Sequence, residues 1–396
     1  MALDECVVPR ESASPEADSK IGDSERYSRQ ILFAGIGAEG QRRLMLSHVA
    51  IVGCGALGAA AAALLSRAGV GRLTLIDRDF VEPSNLQRQM LFDEADALDS
   101  LPKAEAARRQ IARFNSSVLV HPRIADLSPG NIAALLPTGD SDQLEAKDPD
   151  SQSIDLVLDA TDNFETRYLI NDYAVQRGLP WIYAAAIGAY ATTMNILPRS
   201  TEASLPPHAP AFEPTACLAC IFPKPPSGNV ETCDTAGILS TAVNLAASIQ
   251  VTEALKLLTR QPQLMRRTLV SFDLWGLARG GALDRSEIAT GQPREDCQVC
   301  AKRVFTHLSG EDRPHITLCG RDSVQIHEHH RPVDFVAMRA RLSAHPEVAE
   351  LRCNDLVLRF RRGPHTVTVF TDGRAIIQGT TDITIARTLY ARFIGA

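Results

Sequence analysis

The sequence predicts an α/β fold. It reads as a Rossmann-like, doubly wound parallel sheet with a zinc-bearing C-terminal half, followed by a small C-terminal α+β domain. Three observations lead there. Between residues 48 and 126, short apolar runs alternate with helical patterns in a β-α-β-α-β rhythm, which a parallel sheet with crossover helices requires. The first run, "IVGCGALG" (51–58), ends in glycines spaced G-x-G-x-x-G, a strand-to-helix turn open enough for backbone N–H groups to meet an anion. Beyond Cys300 the texture changes to short alternating segments such as "DLVLRFRR" and "HTVTVF", the signature of strands with one buried face.

Composition sets the bounds. A chain of 396 residues suggests two or three domains, and 45% apolar residues can build a real core. The net charge of −6 gives no basic footprint, so neither bulk nucleic-acid nor membrane-surface binding is expected. The N-terminus lacks the basic and apolar regions of a signal peptide, and no apolar run is long enough to span a bilayer. A cytoplasmic protein is expected.

Residues 1–24, rich in Ser, Glu, Asp and Pro, are expected to be disordered. "YSRQILFAGIGAEGQRRLMLS" (27–47) reads as a short helix, a Gly-rich loop and a second helix. Strand one is His48–Gly53, and the helix after Gly58 runs to Ala68. The strand "RLTLID" ends at Asp77. The helix "KAEAARRQIARF" and the strand "LVHPRIAD" follow. Residues 135–153 are acidic and turn-rich, a surface insertion. "IDLVLDATDN" has the near-continuous apolar character of a buried parallel strand. After it come a helix (165–177), the strand "WIYAAAIG", a long irregular segment (198–232), a helix (237–259) and a strand (268–274). The first domain spans 25–305 and the small α+β domain 311–396.

The glycine turn alone does not separate NAD(P) from ATP. Its surroundings favour ATP. Asp77, about twenty residues past the last glycine, stands where an acid bonds ribose hydroxyls. Asp79, "NLQRQ" (85–89), Lys103, and Asp159 and Asp162 in "DATDN" all fall at C-terminal strand ends or just beyond, the ligand-binding edge of such a sheet. An NAD(P) oxidoreductase leaves Arg88, Lys103 and "DATDN" unexplained. A triphosphate with Mg²⁺ uses cations to balance charge on phosphorus and an acid to hold the metal. Taken singly, Arg88 and Lys103 would be ordinary surface charges and Asp159 a helix cap.

"RYSRQ", "GCGALG", "LIDRDFVEPSNLQRQ", "PKAEAA" and "DATDNFETRYLIND", with paired C-x-x-C motifs, closely resemble the ubiquitin-activating-like adenylyltransferases of the MoeB/ThiF family over residues 25–300. The resemblance implies that ATP adenylates the C-terminal carboxylate of a small ubiquitin-like sulfur-carrier protein ending in Gly-Gly, releasing pyrophosphate. It implies that Gly53, Gly55 and Gly58 hold the nucleotide and Asp77 the ribose. Asn85, Arg88 and Lys103 would contact phosphates, with Asp79 and Gln89 beside them, and Asp162 would bind Mg²⁺. Arg29 would reach the neighbouring subunit's ATP site, which makes a homodimer the expected state. Both reactants are anionic, so alignment and charge stabilisation would dominate catalysis. No general base is needed, because a carboxylate is ionised near neutrality. A tRNA-modifying dehydratase of the same superfamily is the alternative, and a catalytically silent scaffold would need none of these charges.

"CLAC" and "CQVC" supply Cys217, Cys220, Cys297 and Cys300. Two C-x-x-C pairs in a chain without an export signal read as one tetrahedral, structural Zn²⁺ site rather than disulfides. Cys233 precedes a long helix, whose positive end favours thiolate. In the resembled family a cysteine here takes up the carrier during sulfur transfer, and a buried structural cysteine is the plain alternative. Many relatives end in a rhodanese domain. This chain does not show that pattern: the segment around Cys319 is too short. A cysteine desulfurase or rhodanese would therefore act in trans, and the last domain reads as a non-catalytic appendage.

Overall fold

The computed structural model describes residues 23–139, 153–199, 212–225, 233–277, 282–309, 316–318, 323–326, 333–371 and 373–394. Most of the acidic insertion, much of the 198–232 segment, Cys319 and residues 1–22 lie outside them. The chain is already helical at Asp23–Arg26, which overlaps the last two residues of the segment expected to be disordered.

The larger sheet contains β1 (His48–Val52), β2 (Arg72–Ile76), β3 (Leu119–Arg123), β4 (Leu156–Asp159), β5 (Trp181–Ile187), β6 (Tyr190–Ile196), β7 (Thr268–Leu277) and β8 (Leu283–Ala289). Its order is β3-β2-β1-β4-β5-β6-β7-β8. The first five strands pair in parallel. The last three join antiparallel. Strand order therefore reverses between β1 and β4, where a crevice opens at the strands' C-terminal ends.

The helices are α1 (Gly37–Leu46), α2 (Ala56–Ala68), α3 (Lys103–Phe114), α4 (Phe164–Arg177) and α5 (Ser240–Leu258). Every residue of β1 is buried, and its alternation sorts them onto two faces. Val49 and Ile51 pack with residues of α2, α3 and α5. Ala50 and Val52 pack with α4 and the cysteine-bearing loops. A parallel sheet covered on both faces leaves no polar alternation in its strands, which is why β1 and β4 read as continuous apolar runs. The cap of α4 is Asn163, whose side chain accepts the Thr166 N–H at 2.8 Å. The helix closes at Gly178 in the left-handed region, φ 68°.

Strands β6 and β8 were not anticipated. All of β8 is exposed, so "LDRSEIA" has no buried face to impose an alternation.

The second sheet is antiparallel, in the order β11-β12-β13-β14-β10-β9: β9 (Ile316–Leu318), β10 (Ser323–Ile326), β11 (Ala349–Cys353), β12 (Val357–Arg362), β13 (His365–Phe370) and β14 (Ala375–Gln378). Helices α6 (Phe335–Ser343) and α7 (Ile383–Phe393) cover one face around Phe360, Leu389, Tyr390 and Phe393. A small antiparallel sheet with helices on one face thus accompanies the larger sheet, as the predicted fold class requires. No helix among the described residues is long and apolar enough to cross a membrane.

Candidate functional site

A cavity of about 490 Å³ opens at the point where strand order reverses. Its floor is the glycine turn. Gly53 has φ +89°, and a Cβ there would lie 2.6 Å from the Ala160 carbonyl oxygen. At Gly58 a Cβ would sit 1.8 Å from the Gly53 carbonyl oxygen, so this glycine lets α2 start against its own turn. Gly55 faces the cavity, with only Gln89 Nε2, at 3.9 Å, near the place of a Cβ. Gly53 and Gly55 line the hollow, while Gly58 supports it from behind.

Asp77 ends β2 and holds the turn. Its carboxylate accepts the Cys54 N–H at 2.6 Å and the Asp79 N–H at 2.7 Å. Burial pushes this carboxyl above its ordinary range, and Lys103 and the two amides pull it back. Lys103 is only 2% exposed. Its ammonium lies 3.2 Å from Asp79 Oδ2, and its N–H donates to the Asp79 carbonyl at 2.9 Å. A buried lysine keeps its charge only beside a carboxylate, and Asp79 provides one.

Arg88 is half-buried and lines the cavity. It donates to the Ser84 carbonyl at 2.9 Å and has no carboxylate partner among the described residues. Gln89 is buried and lines the same wall, and its Oε1 has no hydrogen-bond partner. A buried polar atom without a partner is costly, so a ligand donor there would be favoured. Asp162 is exposed and lines the same cavity. Behind it Asp159 is fully buried, bonded to Thr161 and 3.4 Å from Arg167. Burial pushes its carboxyl up, and Arg167 opposes that.

Other expected residues lie elsewhere. The Asn85 side-chain Oδ1 accepts the Glu82 N–H at 3.1 Å, closing a short turn at Pro83–Asn85, and Asn85 is not in the cavity lining. Arg29 is exposed on a short helix, Ser28–Ile31, away from this cavity. Beside it Leu32 and Phe33 are also exposed. Cys233 begins a short helix, Cys233–Ala236.

Among the lining residues that the sequence reading did not single out are Arg78 and Asp126. Arg78 donates to Asp126 at 2.9 Å and lies 3.9 Å from Asp79. Burial pulls its basicity down, but the acids Asp126, Asp79, Asp162 and Asp77 outweigh it and raise it. Asp126 stands just past the end of β3, so the strand-end rule that selected Asp77 could have found it.

The four paired cysteines converge on the far face. Cys217 Sγ lies 3.8 Å from Cys220 Sγ and 3.6 Å from Cys297 Sγ, and Cys220 Sγ is 3.4 Å from Cys300 Sγ. All four sulfurs fall within 4.8 Å of one another, and none is in a disulfide. A tetrahedral ion with metal–sulfur bonds of about 2.3 Å sets sulfurs about 3.8 Å apart, so the set can hold one metal ion. The Leu218 N–H donates to Asn171 on α4 at 2.9 Å, which ties this centre to the sheet's second layer.

The ThiF family model matches residues 27–299. The chain is 40% identical over 374 residues to a sulfur carrier protein ThiS adenylyltransferase of Bacillus subtilis, covering 93% of this chain and 99% of that protein. It is 34% identical over 297 residues to the SAMP-activating enzyme E1 of Haloferax volcanii, covering 74% and 94%. It is 31% identical over 356 residues to the adenylyltransferase and sulfurtransferase MOCS3 of Mus musculus, covering 86% and 69%. Among solved structures, E. coli MccB with ATP shares the fold at a TM-score of 0.53 and 21% identity, over 69% of this chain and 74% of that one.

Proposed function

Since the chain belongs to the ThiF family, we propose that it is an adenylyltransferase. In this reading it uses ATP to adenylate the C-terminal Gly-Gly carboxylate of a ubiquitin-like sulfur-carrier protein and releases pyrophosphate. The acyl-adenylate is then ready for thiocarboxylate formation, with sulfur from a cysteine desulfurase or rhodanese in trans. The relatives' names, which speak of sulfur carriers and their activation, support the substrate class.

The observation that carries the reading is the charge arrangement of the cavity. Arg88 faces it without a carboxylate partner among the described residues, and Lys103 enters it already held by Asp79. A carboxylate attacking the α-phosphorus joins two anions and expels a third. Fixed positive groups that need no rearrangement lower that barrier most effectively. The Gln89 Oε1 without a partner and the open space above Gly55 fit a nucleotide lying along the turn. Asp162, with Asp79 in the same cavity lining, offers the oxygen donors that Mg²⁺ prefers. When bound, that ion would spread the triphosphate's charge. The Cys₄ centre fits structural Zn²⁺, because four thiolates leave no open position for catalysis.

The exposed Arg29, with Leu32 and Phe33 beside it, supports a homodimer in which Arg29 completes the partner's site. Cys233 is proposed to take up the carrier after adenylation. The enzyme is proposed to work in the cytoplasm.

The deciding experiment is ATP–pyrophosphate exchange with and without a small Gly-Gly-ended carrier. Exchange that depends on the carrier is expected. Exchange without it would turn the assignment toward the dehydratase branch. Binding of NAD(P) with no ATP binding would overturn it.

A further inference from the structure

The small C-terminal domain touches the larger one at places that matter for the cavity. Arg352, on β11, donates to the Leu98 carbonyl at 2.9 Å, and Asn354 donates to the Asp99 carbonyl at 3.0 Å. Those carbonyls immediately precede Ser100, a non-glycine residue at φ 49°, and the segment runs directly into Lys103. Arg359, on β12, lies over the Phe80 ring at 4.5 Å, and Phe80 follows Asp79. Arg374 donates to the Ile124 carbonyl at 2.9 Å. Ile124 also packs against Val357, Phe370 and Ile376, two residues before Asp126.

The gripped segments are the ones that present the buried cation and its acids. The 79–81 and 101–103 segments are stitched together only locally. The Val81 N–H donates to the Leu101 carbonyl at 2.8 Å and the Lys103 N–H to the Asp79 carbonyl at 2.9 Å. A bridge between Phe80 and Pro102 lies between them. Such a short ladder next to a strained residue opens easily unless something outside holds it. Contacts from the second sheet hold both of its sides and the Asp126 loop as well.

We propose that the C-terminal domain is a clamp that sets the position of the Asp79–Lys103 and Arg78–Asp126 pairs, with Arg352, Arg359 and Arg374 as positioning residues for nucleotide engagement. The assignment of those pairs to a nucleotide rests on the adenylyltransferase reading. The clamp itself acts on the free protein. None of these arginines lines the cavity, so they act through Phe80, Leu98 and Ile124. An Arg stacked on a ring and single bonds to backbone carbonyls are individually modest. Together they decide whether Lys103 waits in place or must be ordered by the ligand, which then binds more weakly.

The test uses the full chain carrying Arg352→Ala with Arg359→Ala, and separately Arg374→Ala. Arg359→Lys keeps a cation over Phe80, and Arg392→Ala, an exposed residue paired with Glu347, serves as the control. Two readouts are made. In ATP–pyrophosphate exchange, KM for ATP should rise about tenfold, about 1.4 kcal/mol, while kcat and KM for the carrier stay within about twofold. In the free protein, the amides of Val81, Leu101 and Lys103 should exchange hydrogen about tenfold faster, with melting of the larger domain and metal content unchanged. Arg359→Lys should restore most of both effects, and Arg392→Ala should show neither. An unchanged KM for ATP together with unchanged protection of these amides would overturn the clamp. If the unaltered protein shows no exchange activity, the functional reading fails, and the amide measurement still decides the clamp. If Arg374→Ala fails to fold, the surface pair Arg352 and Arg359 decides it alone.

Discussion

Replacing Arg88 with Ala should separate catalysis from stability. Arg88 is half-exposed and its hydrogen bond goes to a carbonyl on its own loop, Ser84. Removing such a side chain orphans little, and the stability cost should stay below about 0.5 kcal/mol. For a chain this large, melting should move by less than about 2 °C. The reaction is another matter. If Arg88 meets the charge that develops on phosphate, its removal resembles loss of one preorganised donor at an oxyanion, which costs roughly 3–4 kcal/mol. That is a fall of about 100- to 1000-fold in exchange activity. Arg88→Lys should recover only part, because an ammonium cannot make the fork of bonds a guanidinium makes to phosphate. The assay is carrier-dependent ATP–pyrophosphate exchange at fixed ionic strength, paired with a thermal melt. Exchange within threefold of the unaltered protein, with unchanged melting, would refute the assignment of Arg88 to phosphate.

The other expectations use different measurements. Gly58→Ala should fold poorly or melt far lower, because its Cβ would meet a backbone oxygen at 1.8 Å; Gly55→Ala should keep its melting point within about 2 °C and weaken ATP binding, and equal melting for the two variants would count against this division of labour. Removing metal with a chelator, or Cys300→Ser, should lower melting by more than about 5 °C, and metal analysis should find zinc bound to the unaltered protein; full stability in a zinc-free sample would dismiss a structural ion. Asp172 is fully buried, and burial raises its carboxyl to about 6. The folded state therefore keeps its proton longer than the unfolded state, and stability drains away as pH climbs from about 4 to about 6. Asp172→Asn should thus add roughly 3 kcal/mol above pH 6 and nothing below about pH 4; an equal gain at both pH values would rule out titration of Asp172 as the cause.

What the sequence disclosed follows from which forces leave a mark on neighbouring residues. β1 and β4 were legible because burial on both faces forces an apolar run, and α3 was legible from Lys103 to Phe114 because its helical period is unbroken. The cysteine centre was legible because C-x-x-C spacing is set by the ligand geometry itself. β8 was not, since no residue of it is buried. Asn85 is marked by its motif, and the fold adds a second partner. The resemblance implies a phosphate contact for it, and in the resting protein its side chain also closes the turn at Glu82, a bond set by partners the fold brings. Arg78 shows the converse. Nothing in "IDRD" marks it, and only the arrival of Asp126 from β3 gives it a role in the cavity.

That contrast explains how the site keeps two cations of one sign near each other without collapse. Lys103 is buried and Arg78 nearly so, and each is matched by acids in the resting protein, Asp79 and Asp126. Their charges are therefore largely spent on holding the loops in place, and what they offer an incoming anion is the remainder. Arg88, without such a partner among the described residues, keeps its full charge for the ligand at the cost of a less fixed position. Under the proposed reaction, a cavity that accepts a triphosphate and then releases pyrophosphate would benefit from both kinds. Matched cations set the geometry and the unmatched one supplies the net attraction, so neutralising Asp79 should tighten binding of any anion while loosening the frame that orients it.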